Sequence, residues 1–283
     1  EEWGIDVVHK FRGMFAFALV DRRNGRMFLV RDRLGIKPLY YHFDGRRFLF
    51  ASEIKAILED PQVPRRLNRQ ALYAYLGFEF VPAPDTMFSQ IHKLPAGHYL
   101  EFKEGQATVT PYWDLHFPEP GTFRLSRAET VEQIRALLDT AVKYRLISDV
   151  PLAAFLSGGL DSSAIVAMMR RHITGPLRTY TIGYADKTFS ELDYAKIIAD
   201  RFGTEHHVLM IDDMTEALIE KSLWHLDEPM TDLSSIPLML ICEEARKQVK
   251  VCLSGEGGDE VFAGYDRFKA SKLDRYYGII PRF

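Results

Sequence analysis

Apolar and polar residues follow two different rhythms along the chain. Over residues 14–50, the runs "MFAFALVD", "MFLVRD", "LYYHF" and "RRFLFAS" are short and rich in apolar and aromatic residues. The turn pairs Asn24-Gly25 and Asp44-Gly45 separate them, which predicts antiparallel strands joined by tight hairpins. Helical patterning follows over about 52–60 and 68–77, the second stretch opened by Asn68 as N-cap. "FVPAPDTMF" and "KLPAGHYLEF" are punctuated by proline and return to short strands.

The second half has a longer period. Val131, Ile134, Leu138, Val142 and Leu146 recur at helical spacing behind Thr130-x-x-Gln133, which reads as a capping box. The apolar strands "VPLAAFLS", "LRTYTIGY", "HHVLMI" and "VKVCLSG" then alternate with helical stretches. Those helices are expected over 161–171, from Ser190 to about Gly203, over about 213–225 and over about 234–247. Strand–helix alternation predicts an α/β architecture, a parallel doubly wound sheet covered on both faces. "HFPEPGTFRLS" carries two prolines and a glycine and marks a linker. The expected organisation is an antiparallel domain over 1–115, a linker over 116–128 and the parallel domain over 129–283. No fixed-period repeat or low-complexity tract interrupts it.

Composition narrows the function classes. The chain has 283 residues, 47% hydrophobic and 27% charged, close to globular averages, and its length fits about two domains. Its net charge of −3 is spread as mixed singles and pairs, with no basic block for nucleic acid. The longest apolar runs, such as 15–20, are far too short to span a membrane. Cys242 and Cys252 are the only cysteines, too few for a disulfide framework or a four-ligand zinc site. A reducing cytoplasm fits them, and both are expected to pack in the interior.

In an open parallel sheet, ligands sit beyond the carboxyl ends of the strands. Two strands there end in glycine-bearing loops, 157–163 (SGGLDSS) and 254–260 (SGEGGDE). Gly158 and Gly159 let backbone N–H groups close around an anion, and Ser157, Ser162 and Ser163 add hydroxyl donors. The following helix directs its positive end at the same place. Asp161 would repel a bare phosphate, so its presence calls for a cation, Mg²⁺ by the chemistry. No lysine follows the glycines, which excludes a Walker A loop. The blander reading of Ser-Gly-Gly is a tight turn, and that of Glu256 and Asp259 a solvated acidic turn. His206 and His207 are neighbours on a strand, point to opposite faces and cannot chelate together. Arg31, Asp32 and Arg33 read as a local ion-pair cluster.

"SGGLDSS" behind an apolar strand resembles the pyrophosphate-binding motif of N-type ATP pyrophosphatases. "LSGGLDSS", "FSELDYAKIIADRFGTEHH", "DEPMTDLSSIP" and "LSGEGGDEVFAGYDRF" together resemble the glutamine-hydrolysing asparagine synthetases. "GMFAFALVD", "RDRLGIKPLYY" and "FASEIKAIL" are similar to the later part of that family's glutaminase domain. The resemblance implies an adenine nucleotide alpha-hydrolase-like sheet, preceded by part of an antiparallel αββα Ntn-hydrolase-like domain. It implies ATP and Mg²⁺ as cofactors. It implies that aspartate is adenylated to β-aspartyl-AMP with release of pyrophosphate, then amidated by ammonia derived from glutamine. Residues Ser157, Gly158, Gly159, Asp161 and Ser162 would hold the β and γ phosphates. Leu156 would touch the nucleotide, Ile182 would pack by the adenine, and Ser254 and Gly255 would face the ribose and α-phosphate. Asp161 and Asp259 would share the metal. Glu256 would act on formation of the acyl adenylate or on the attacking ammonia. The resemblance favours a substrate-side role for Asp227-Glu228-Pro229, with a polar helix end as the bland alternative.

The same resemblance sets expectations about the ends. The glutaminase nucleophile of such enzymes is an N-terminal cysteine, whereas this sequence begins at Glu1 and its first cysteine is Cys242. That nucleophile, the glutamine-binding segments and later phosphate-contacting lysines are expected outside this sequence, which alone should not hydrolyse glutamine. The expected partners are small molecules (aspartate, glutamine or ammonia, ATP), with no nucleic acid and no membrane. A homodimer is compatible with the sequence, which does not fix the oligomeric state. Two alternatives stand beside asparagine synthesis. One is amidation of another carboxylate, on a cell-envelope sugar, a peptide or a natural product. The other is a non-catalytic nucleotide-binding module.

Overall fold

The computed structural model describes residues 2–119, 121–122, 124–184, 191–211, 215–232 and 234–277. The expected helix start at Ser190 lies outside them. The chain divides into two units, Glu1–Arg124 with Thr215–Ser235 and Leu125–Met214 with Ile236–Phe283.

The first unit opens with a 3₁₀ turn, Gly4–Lys10. Strands β1 (Ala16–Asp21) and β2 (Arg26–Arg31) form the first hairpin, and β3 (Tyr40–Phe43) and β4 (Phe48–Ala51) the second. Asp21 closes the first turn by accepting from the backbone N–H groups of Arg23 and Asn24. Helices α1 (Ile54–Ile57) and α2 (Arg69–Phe78) follow, and the Asn68 side chain caps α2 by accepting from Gln70 N and Ala71 N. Strands β5 (Ile91–Lys93), β6 (His98–Lys103) and β7 (Gln106–Pro111) complete two antiparallel sheets, ordered β1-β2-β6-β7 and β4-β3-β5. Buried Leu29, Leu39, Leu94 and Leu100, with Tyr41, Phe48 and Phe102 against them, join the two sheets in one core.

Asp32 is buried at the end of β2, but not in an ion-pair cluster. Its carboxylate accepts from the backbone N–H groups of Phe15, Leu34, Ile36 and Lys37 at 2.9–3.3 Å. Arg31 spends its guanidinium on three carbonyls, those of Lys37, Leu94 and Gly35. A loop that turns sharply exposes backbone donors, and one carboxylate satisfies several at once.

The second unit is the parallel domain. Helix α3 (Arg127–Arg145) is capped by Ser126 and Glu129, a capping box four residues upstream of the expected Thr130–Gln133 pair. Thr130 instead lies inside the first turn and donates its hydroxyl to Ser126 O. Then follow β8 (Leu152–Phe155), α4 (Leu160–His172), β9 (Arg178–Tyr184), α5 (Leu192–Phe202) and β10 (Glu205–Ile211). Helix α6 (Glu216–Leu226) belongs to the first unit; α7 (Ser235–Ala245), β11 (Val251–Leu253), α8 (Gly258–Phe262) and α9 (Asp266–Tyr277) complete the second. The sheet order is β10-β9-β8-β11, all parallel.

Period-two alternation along the strands serves two cores. Ala154, Leu156 and Leu253 face a cluster with Val142, Val166, Met169, Ala195 and Ala199 from α3, α4 and α5. Ala153 and Tyr180, with Phe155, Ile182 and Cys252 beside them, face Ile241 and Ala245 of α7. The doubly wound reading therefore holds. Cys252 is half-buried, but Cys242 is exposed on α7, contrary to the expectation that both thiols pack inside. Helix α7 shows its apolar face to the sheet at Ile241 and Ala245, and position 242 falls off that face. Among the described residues no helix is long and apolar enough to cross a membrane.

Candidate functional site

Strand β8 is the first strand of the parallel sheet; the chain moves outward through β9 and β10, then returns to add β11 on its other side. The order reverses between β8 and β11, and such a switch point opens a crevice beyond the carboxyl ends of the two strands. The two glycine loops follow those very strands, 156–159 after β8 and 254–257 after β11. The sheet topology is what places two motifs a hundred residues apart at one crevice.

The first loop is anchored from behind. Leu156 is 1% exposed; its N–H donates to Tyr180 O at 2.9 Å, and its carbonyl accepts from the buried Thr181 hydroxyl. Its side chain belongs to the core, so this residue contributes to the crevice through placement of the loop. Gly158 has φ +86°, and a Cβ there would lie 2.5 Å from Ala195 N and 2.6 Å from Tyr194 Cβ. Both the left-handed turn and the close approach of α5 call for glycine at this position. Gly159 has ordinary angles, φ −65° and ψ 167°, and begins α4 with no side-chain cap.

Ser162 is 7% exposed and works inside the loop. Its Oγ accepts from Ser157 N at 3.2 Å, lies 3.0 Å from Ser157 Oγ and donates to Gly159 O at 3.3 Å. The hydroxyl of Ser163 is buried and has no partner. An α-helix leaves its first N–H groups without intrahelical partners. The uncapped start of α4 and the orphaned Ser163 hydroxyl are an unused donor set, chemically suited to an anion.

The second loop presses on the first through its glycines. A Cβ on Gly255 would sit 2.8 Å from Ser162 N and 3.0 Å from Asp161 Cβ. A Cβ on Gly258 would overlap the Asp161 carboxylate, with Oδ1 at 2.9 Å. Asp161 therefore lies against the start of α8, where Asp259 is the next residue. Ser254 Oγ accepts from Glu256 N at 3.4 Å, and Gly255 O accepts from Gly258 N at 3.1 Å. Glu256 and Asp259 are exposed and Asp161 is partly so. Ile182 is half-buried on β9 with its side chain among the α7-facing core residues. The structure sets Gly255 and Gly258 of the second loop against Asp161 and Ser162 of the first, and leaves Ile182 on the neighbouring strand.

Among the described residues, no group of three or more His, Cys, Asp or Glu could hold a metal by itself. Asp161 and Asp259 offer hard carboxylate oxygens from adjoining positions. That set fits Mg²⁺, which binds through one or two carboxylates and completes its shell with phosphate oxygens and water. Asp161 and Asp259 would hold the ion here.

Sequence reasoning missed Thr181, Gly258 and Gly264 as parts of the site, though the glycines lie within the quoted "SGEGGDEVFAGYDRF" stretch. Asp227 and Glu228, for which the resemblance favoured a substrate-side role, group with the first unit, Asp227 at the end of α6. The Asp227 carboxylate accepts from Ile54 N at 2.6 Å and pairs with Lys55 at 2.9 Å. Glu228 accepts from Met87 N at 2.7 Å and pairs with Lys93 at 2.7 Å. Ile54, Lys55, Met87 and Lys93 all lie in that unit, so both acids brace it. His206 bonds Thr179 Oγ1 at 2.9 Å while His207 stacks on Tyr180, on opposite faces of β10 as expected.

The sequence matches the family model described as asparagine synthase over residues 133–281, and that of the glutamine amidotransferase domain over 1–113. It is 41% identical over 266 residues to "Putative asparagine synthetase (glutamine-hydrolyzing) 2" of Methanocaldococcus jannaschii, covering 93% of this chain and 51% of that one. Against "Asparagine synthetase (glutamine-hydrolyzing) 3" of Bacillus subtilis it is 37% identical over 294 residues, covering 96% and 47%. Against "Amidase chry2" of Gibberella zeae it is 32% identical over 297 residues, covering 96% and 43%. The chain spans about half the length of the curated relatives it matches.

Proposed function

Because the chain belongs to the asparagine synthase family, we propose that the full-length protein makes asparagine from aspartate, with ATP as activator and glutamine as nitrogen donor. One observation carries this reading: the two glycine loops after β8 and β11 meet at the switch point, with Asp161 lying on Gly258.

The chemistry needs such a crevice. A carboxylate is a poor electrophile because its leaving group would be oxide. Adenylation replaces that group with AMP, a stable anion, and expels pyrophosphate. The attacking oxygen and the leaving pyrophosphate are both negative, so fixed dipoles and cations are the main catalytic lever. Ser157 N–H and Gly159 N–H are bonded within the loop to Ser162 Oγ and Ser157 Oγ, so Gly158 and the start of α4 offer the N–H groups that receive the departing phosphates. Ser162 holds the loop in shape, and the Ser163 hydroxyl is free to donate. Ser254 and Gly255 border the α-phosphate and ribose, and Ile182 lies on the adenine side. Asp161 and Asp259 would hold Mg²⁺, which when bound would neutralise charge on the phosphates. Glu256, exposed at the lip of the second loop, takes the proton that incoming ammonium must lose. A cytoplasmic location suits the two free thiols.

A second reading keeps the activation step and changes the acceptor. It is favoured by the similarity to a fungal amidase across 96% of the chain. Exchange of ³²P-pyrophosphate into ATP by the full-length protein separates the two. Exchange that requires aspartate supports asparagine synthesis. Exchange with another carboxylic acid but not aspartate supports the second reading. Nucleotide binding without exchange under any acid refutes both.

A further inference from the structure

Four glycines border the second loop, and they do different work. Gly257 has φ +91°, a conformation only glycine adopts freely, and nothing lies within 4 Å of where its Cβ would be. Gly255 touches the backbone of the first loop. Gly258 and Gly264 are unlike both. Neither has positive φ, so a left-handed turn is not what calls for glycine there. What a side chain would meet is an acid. A Cβ on Gly258 would overlap Cγ and Oδ2 of Asp161. A Cβ on Gly264 would overlap Oδ1 of Asp259 and lie 2.8 Å from its Cγ.

We propose that Gly258 and Gly264 are positioning residues, each leaving the space in which one carboxylate of the Asp161/Asp259 pair lies. Like charges repel, so two aspartates on adjoining positions tend to turn apart unless their surroundings allow them to face one site. A bare glycine surface lets each carboxylate lie flat on the backbone. An added methyl group there drives the aspartate into another rotamer, a cheap change for an exposed or half-exposed side chain. The obstructed atoms are chiefly the mobile ends of side chains, not the backbone that α5 presents to Gly158. Gly264 N still donates to Asp259 O at 2.9 Å, a bond that alanine keeps. Substitution therefore moves the acids while the fold persists. This rests on the reading of Asp161 and Asp259 as the metal pair.

The test uses full-length protein with Gly258→Ala, Gly264→Ala and, as control, Gly175→Ala, whose Cβ would meet nothing within 4 Å. Mn²⁺ binding in the presence of α,β-methylene-ATP is followed by electron paramagnetic resonance, alongside thermal unfolding. We expect the Mn²⁺ dissociation constant to rise at least tenfold in the first two variants and to stay unchanged in the control. All three should keep their melting temperature within about 2 °C of the wild type. Wild-type-like Mn²⁺ binding in both test variants overturns the proposal, as does loss of their folded state, because the claim is that the acid yields and the backbone does not. Failure of the wild type to bind Mn²⁺ with the nucleotide overturns the metal-pair reading itself, and this proposal with it.

Discussion

Replacing Gly158 with alanine tests whether the first loop is shaped by its own fold. At φ +86° a residue with a Cβ carries backbone strain of about 1–3 kcal/mol. The new methyl would also lie 2.5 Å from Ala195 N and 2.8 Å from Tyr194 C, backbone atoms of α5 that cannot swing aside. Overpacking of that kind costs about 1–3 kcal/mol more. The sum is about 2–6 kcal/mol. With a urea slope of about 2 kcal/mol per molar, the midpoint of the second unit should fall by about 1–3 M. Gly159→Ala is the matched control, with φ −65° and only Ser157 Oγ nearby, at 3.3 Å. It should cost no more than about 1 kcal/mol, the penalty for alanine at an N-cap. Urea unfolding read through amide exchange on α4 and α5 reports this unit alone. A Gly158→Ala midpoint within about 0.2 M of the wild type would refute the packing argument.

Other expectations concern the first unit and the thiols. Glu228→Ala leaves Met87 N–H without its partner and Lys93 with the Val81 carbonyl alone, in a site where the Glu228 and Lys93 side chains are 10% and 15% exposed. It should destabilise the protein by about 3–5 kcal/mol, while Glu228→Leu with Lys93→Met recovers most of that in chemical denaturation. Burial, with Asp32 nearby, pushes the Tyr112 hydroxyl up to about 12, and the hydroxyl donates to Arg31 O at 2.7 Å. Because the folded value lies above the unfolded value of about 10, this stabilisation is complete below pH 10 and is lost as pH rises toward 12. The stability difference between wild type and Tyr112→Phe should shrink across that window, and a difference flat to pH 12 would count against it. Burial raises both thiols, Cys252 to about 11 with Cys242 beside it, and of the two Cys242 is the exposed one. Brief iodoacetamide treatment of native protein at pH 8 should alkylate Cys242 and spare Cys252, as peptide mass mapping would show.

The elements were legible where local rules act alone. The hairpins at Asn24-Gly25 and Asp44-Gly45, the Asn68 cap and the Gly203 helix end depend on neighbours in sequence, and each appears where its residues direct. The box before α3 slipped by one turn because Ser126-x-x-Glu129 and Thr130-x-x-Gln133 both satisfy the pattern, and the first of them serves. The acids at 227 and 228 carried a family resemblance but no local sign of their partners, Lys55 and Lys93, which lie more than a hundred residues earlier.

By itself the sequence determined that two glycine loops end buried strands, that acids accompany them, and that the second half is a parallel domain. Periodicity and backbone permission are properties of neighbouring residues, so they can be read from the string. Tertiary structure alone decided that β11 returns beside β8 and brings the loops together. It also decided which glycine serves a left-handed turn and which clears space for a carboxylate, and that Asp227 and Glu228 anchor the other unit. These depend on atoms distant in sequence competing for the same volume, and no local pattern records that competition.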